Sequence, residues 1–225
     1  MRTAFHDELS QVTDDLVELS ELVRSAIRSS TTALLDADVR LAEQVIESDR
    51  EIDARRNELD ARSVDLLALQ APVASDLRRV LTSMRMSGDL ERMGDLARHV
   101  AKVTRLRYPE PAVPPELHDT FRRMGEAAER IVARAAGVIV SQDLSEARDI
   151  ETIDDELDEL HRSMFTHLAD TWQHGTTSAV DVALLSRYYE RFGDHAVTVA
   201  RRVRFLVTGA MDSVEHDAVD VDDGV

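Results

Sequence analysis

Apolar residues recur every three or four positions through most of this chain, the spacing that lines one face of an α-helix. Phe5, Leu9, Val12, Leu16, Leu19, Val23 and Ile27 form the first such stripe and predict a helix from about Thr3 to Asp36. Val45, Ile52, Leu59 and Leu66 then recur every seven residues, which predicts a second helix over about Ala37 to Leu69. A third is expected from just after Pro72 to about Tyr108. Pro109, Pro111, Pro114 and Pro115 crowd into one short stretch, where a helix cannot continue. Beyond it the scheme repeats, with helices expected at about Pro115 to Ser141, Asp143 to Gln173 and Thr176 to Thr208. Helices of about thirty residues are roughly 45–50 Å long, and three joined by short turns close into an antiparallel bundle with one apolar seam. The expected fold is all-α: two tandem, pseudo-symmetric antiparallel three-helix bundles, residues 1–108 and 116–210, joined by a Pro-rich linker at 109–115. Residues 211–225 hold six acids and little core-forming pattern, and are expected to be a disordered acidic tail.

The repetition extends to single residues. Glu91-Arg92-Met93-Gly94-Asp95 returns as Glu190-Arg191-Phe192-Gly193-Asp194, ninety-nine positions later. On a helix, residues four apart share a face, so each copy sets two carboxylates one turn apart. One such pair carries little weight, because 44 acids in 225 positions give roughly eight by chance. Repetition in register carries more. On the middle helices Asp49 and Asp53 fall on Asp154 and Asp158, 105 positions on, and Val45 and Leu59 fall on Ile150 and Met164. Two sets of four are therefore candidates to converge between adjacent helices: Asp49, Asp53, Glu91 and Asp95, and Asp154, Asp158, Glu190 and Asp194. At about 100° per residue, Asp49 lies between Val45 and the Ile52 line, whereas Glu190 and Asp194 lie roughly opposite Leu185, Phe192 and Val199. The expected site is a groove at the bundle surface rather than a dry core.

Four carboxylates held close together repel and raise one another's pKa. A multivalent cation relieves that repulsion, and all-oxygen ligation suits Mg²⁺, Ca²⁺, Mn²⁺ or iron. Arginine pairing answers the same need: Arg92 and Arg191 sit inside the two motifs, with Arg50, Arg56 and Arg98 nearby. A ferritin-like diiron centre asks for Glu-x-x-His. That pattern is absent from the chain, and Asp158-x-x-His161 stands once. His195 lies about 100° around the helix from Asp194, and His99 has Thr198 as its counterpart, so neither completes a repeated ligand set. Met84, Met86 and Met93 are expected to fill core. No Gly-rich phosphate loop, nucleophile elbow or His-centred triad is visible, so nothing marks the chain as an enzyme.

Charge narrows the partners. Lys and Arg number 27 against 44 Asp and Glu, a formal net charge of −17, and such a surface repels nucleic acid and anionic lipid. The absence of cysteine excludes disulfides, thiolate metal sites and cysteine nucleophiles, and fits a reducing cytoplasm. No apolar run approaches the roughly 20 residues that span a bilayer. Met1 to Leu9 is polar and mixed in charge, unlike a secretory signal, so a cytoplasmic protein is expected.

Three passages resemble the PhoU family of bacterial phosphate-signalling regulators over about residues 1–210. Gln70-Ala71-Pro72-Val73-Ala74-Ser75-Asp76-Leu77-Arg78 looks like its entry into the third helix. Ser87 to Asp95 and Tyr189 to Ala196 look like its two signature motifs. The resemblance implies paired three-helix bundles and a multinuclear metal (iron, manganese, magnesium or zinc) on Asp49, Asp53, Glu91, Asp95, Asp154, Asp158, Glu190 and Asp194. It implies an adaptor rather than a catalyst, a negative regulator of the phosphate-starvation response working as homodimer or monomer. Its partners would be a PstB-type ATPase of the phosphate ABC transporter, which brings it to the membrane periphery, and a PhoR-type sensor histidine kinase. A metal-storage or metal-dependent helical bundle is the alternative. Leu96 stands where the second copy has His195, so the two sites are expected to be unequal.

Overall fold

The structure, a computed structural model, describes residues 2–70, 72–170 and 172–210. Six long helices follow one another: α1 (Arg2–Asp36), α2 (Val39–Gln70), α3 (Ser75–Arg107), α4 (His118–Ser141), α5 (Leu144–Asp170) and α6 (Gly175–Thr208). Among the described residues there is no strand. Each lies within a few residues of its expected position. The fourth helix opens with a 3₁₀ turn at Pro115–Leu117 before its α-helical part, and the fifth stops at Asp170, short of the expected Gln173. The acidic segment expected at 211–225 lies outside the described residues.

The duplication reaches the helix caps. Ala37 and Gln142 both take the left-handed conformation, at φ 51° and 53°, and each is followed by an aspartate that opens the next helix. Asp38 Oδ1 accepts from the Arg40 and Leu41 amides at 2.9 and 3.1 Å, and Asp143 Oδ1 accepts from the Ser145 amide at 2.8 Å. Each aspartate satisfies amide groups that the first turn would otherwise leave unpaired. Trp172 closes the corner between α5 and α6, its indole N–H donating to the Gly175 carbonyl at 2.8 Å and its ring edge-on to His174.

Within each half the three helices pack on one another, and two further contacts join the halves, α1 against α4 and α3 against α6. The predicted stripes are the core: Leu16, Leu19, Val23 and Ile27 on α1, Val45, Ile52, Leu59 and Leu66 on α2, and Ile150, Leu157 and Met164 on α5 are all buried. Met86 and Met93 are buried with them, while Met84 is half-buried. Gly125 lets α4 approach α1 closely, since a Cβ there would lie 2.3 Å from Thr31 Cγ2. Thr31 in turn shares a 2.8 Å hydrogen bond with the wholly buried phenol of Tyr189 on α6. One apolar core thus runs through both halves.

Polar groups fasten the α3–α6 contact, in which the helices run antiparallel. Arg107 holds Asp181 with two hydrogen bonds, the longer at 2.9 Å. Arg202 and His195 both reach Asp89, the histidine at 3.4 Å. Across α1 and α4, Arg24 and Arg28 converge on Glu129 and hold its carboxyl below the usual glutamate range. These pairs replace water with matched charge at positions where burial would otherwise penalise a lone ion.

Candidate acidic site

A glycine inside each repeated motif brings the acids together. A Cβ at Gly94 would lie 2.9 Å from Ile52 Cδ1, so its absence lets α2 settle against α3. A Cβ at Gly193 would lie 2.9 Å from Leu157 Cδ1 and 2.3 Å from Asp154 Oδ1, so α5 settles against α6 in the same way. In each half two carboxylates from the middle helix thereby face two from the last.

The first cluster joins Asp49 and Asp53 on α2 to Glu91 and Asp95 on α3. Arg98, one turn beyond Asp95 on α3, places its guanidinium between the helices. It donates to Asp49 Oδ2 at 2.5 Å and to Asp95 Oδ1. Asp49 is buried, and burial pushes its pKa up; Arg98 opposes that shift, while Asp53 and Asp95 add to it. Glu91 is also raised, by burial first and then by Asp95. Arg92 reaches Asp95 at 3.2 Å and Glu91 at 3.7 Å from the exposed rim.

The second cluster joins Asp154 and Asp158 on α5 to Glu190 and Asp194 on α6. Val197 occupies the position of Arg98 here, ninety-nine residues on. Burial and four neighbouring acids (Asp158, Asp194, Asp155 and Glu190) push the Asp154 pKa up to about 7. Its Oδ1 is buried without a hydrogen-bond partner, and so is Glu190 Oε2. Arg187 holds the other Glu190 oxygen, yet the Glu190 pKa is still raised, by burial and then by Asp194.

All eight predicted acids thus lie in the two predicted groups, each within electrostatic reach of others in its half. The expectation of a surface groove needs correction at Glu190, which is 9% exposed although it lies opposite the Leu185–Phe192–Val199 line. The reason is that α6 packs against α3 and α4 as well as α5, which leaves only a narrow stripe (Leu184, Arg187, Arg191 and Asp194) exposed and covers Glu190 beside it. His195 points away from its cluster to Asp89, and His99 packs against Tyr188, ring centroids 5.3 Å apart and planes tilted by 56°. The inequality anticipated at Leu96 and His195 arises instead two residues further along, at Arg98 and Val197. That signal was present in the aligned copies.

As they stand, no three His, Asp or Glu side chains among the described residues enclose an ion. The second cluster nevertheless offers the donor chemistry of a hard cation: an all-carboxylate set with two buried oxygens lacking partners. The first has its cation built in, as a guanidinium on two of its four acids.

Comparison with known proteins agrees with this duplicated architecture. A family model described as the PhoU domain matches twice, over residues 16–104 and 121–203. The chain belongs to the PhoU family. It is 48% identical over 211 residues to the Phosphate-specific transport system accessory protein PhoU homolog 2 of Mycobacterium tuberculosis, covering 93% of this chain and 99% of that one. The crystal structure of PhoU from Pseudomonas aeruginosa superposes with a TM-score of 0.83 at 30% identity, covering 92% of this chain and all of the other. That of the phosphate transport system regulatory protein PhoU from Streptococcus pneumoniae gives 0.82 at 26% identity, over 92% and 98%. PhoU is an accessory and regulatory family, not a known enzyme family. Among the described residues of this PhoU chain, no helix is long and apolar enough to cross a membrane.

Proposed function

We propose that this chain is an adaptor of phosphate transport that restrains phosphate uptake and the phosphate-starvation response. In this reading it links a PstB-type transporter ATPase at the inner membrane face to a PhoR-type sensor kinase. The observation that carries it is the pair of PhoU domains over most of the chain, together with a 48% identical relative that bears the name of a transport accessory protein. Long helical surfaces without a catalytic constellation suit reversible protein contacts. The acidic clusters give the adaptor a means to respond: a bound divalent cation would supply the countercharge that Asp154 lacks and a partner for Glu190 Oε2. Such a ligand changes partner choice only through its differential affinity for two states.

The test is genetic and biochemical. Deleting the gene should derepress a phosphate-starvation reporter in phosphate-rich medium, and the intact chain should restore repression. The purified protein should also retain the ATPase or the kinase in a pull-down. Normal repression in the deletion strain, with failure to retain either partner, would overturn the proposal.

A further inference from the structure

We infer that the two acidic clusters use different counterions: Arg98 serves the first permanently, and only the second takes up a diffusible divalent cation. This rests on the proposed cation binding and says which half performs it. In the first cluster, Arg98 lies 2.5 Å from Asp49 Oδ2 and also donates to Asp95, so it stitches the middle helix to the last across the space an ion would need. Asp49 and Asp95 are the oxygens that an incoming metal would have to win from a guanidinium already seated on them. The pseudo-equivalent position in the second cluster is Val197, a buried apolar side chain with no charge to offer. There Arg187 holds one oxygen of Glu190 from the opposite direction along α6, leaving Glu190 Oε2 and Asp154 Oδ1 buried and unpartnered. Glu190 as a whole is 9% exposed, so its free oxygen has no water to fall back on. An arginine is fixed to the fold, whereas a metal comes and goes. The α2–α3 contact is therefore constant, and the α5–α6 contact varies with the cation supply.

Equilibrium dialysis of the full, chelator-stripped chain against Mn²⁺ tests this, with bound metal counted by elemental analysis. Asp154→Asn with Glu190→Gln should weaken Mn²⁺ binding at least tenfold, and Asp49→Asn with Asp95→Asn should leave it within twofold. Arg98→Met should raise the Mn²⁺ bound per chain, and adding Asp49→Asn and Asp95→Asn should return it to the original level. Helical content is checked by circular dichroism, and the Asp49 and Asp95 pair tests the point with Arg98 in place should Arg98→Met not fold. If Asp49→Asn with Asp95→Asn abolishes binding in the otherwise unchanged chain, or if folded Arg98→Met gains no metal, the inequality is overturned while cation binding itself stands. Failure of the unaltered chain and of Arg98→Met alike to retain Mn²⁺ would remove the cation reading, and this inference with it.

Discussion

The two halves carry the same four acids on the same helices, yet they solve the problem of crowded negative charge differently. In the first, one arginine bridges Asp49 and Asp95. In the second, valine occupies that position and Asp154 stays protonated up to about pH 7. A single side chain therefore separates a self-contained ion-pair network from a site that must take a proton or a cation. The lesson is that duplicated ligand sets need not be duplicated sites, because the neutralising group can be supplied by either half's own sequence.

The largest test of this contrast is Arg98→Met, which strands the buried Asp49 carboxylate. It should cost about 3 kcal/mol in metal-free urea denaturation, whereas Val197→Met at the matching position, which adds bulk but strands no charge, should cost about 1–2 kcal/mol.

Next comes Asp154, whose folded pKa of about 7 stands above its ordinary value of 3.8. Between those two pH values the folded chain holds a proton that the unfolded chain has released. Stability contributed by this group is thus present at low pH and falls as pH rises towards 7, by up to about 1.4 kcal/mol per unit. Asp154→Asn should abolish that slope and stabilise the protein at pH 8 by about 2 kcal/mol. Asp49, also raised by burial but opposed by Arg98, should give a slope of the same sign, which Asp49→Asn removes. Melting curves at pH 5 and pH 8 measure both slopes.

The glycines give a smaller contrast. Gly94→Ala drives a methyl into Ile52, packed in the core, and should cost about 2 kcal/mol. Gly193→Ala meets Leu157 Cδ1 at the same 2.9 Å and the buried Asp154 Oδ1 at 2.3 Å besides, so its cost should be at least as large. Smallest of all, Arg92→Ala removes only exposed rim pairs and should shift stability by less than about 0.5 kcal/mol. Urea midpoints measured side by side would rank these three variants.

Much of this architecture was legible in the pattern of apolar residues. The α1, α2 and α5 stripes stand out because those helices bury one face, and the proline run marks the break between halves. Less legible were the α1–α4 and α3–α6 contacts. The buried positions on α3 include Thr82, Ser83, Ser87, Gly94, Ala97, Ala101 and Thr104, small or polar residues that give no strong apolar signal although they permit close approach. The same multiplicity of neighbours hid the burial of Glu190. The eight acids were readable because they repeat in register. The decisive difference at positions 98 and 197 was readable too, but only by asking where the copies disagree rather than where they match.

The placement of Trp172 has a practical consequence. It is the sole tryptophan of the chain and sits at the α5–α6 corner, beside His174 and hydrogen-bonded to Gly175. Intrinsic fluorescence excited at the indole band therefore watches one hairpin alone, that of the valine-bearing copy. Titrating an ion while following that emission isolates the responsive hairpin optically, without any label, and the arginine-bearing copy stays dark.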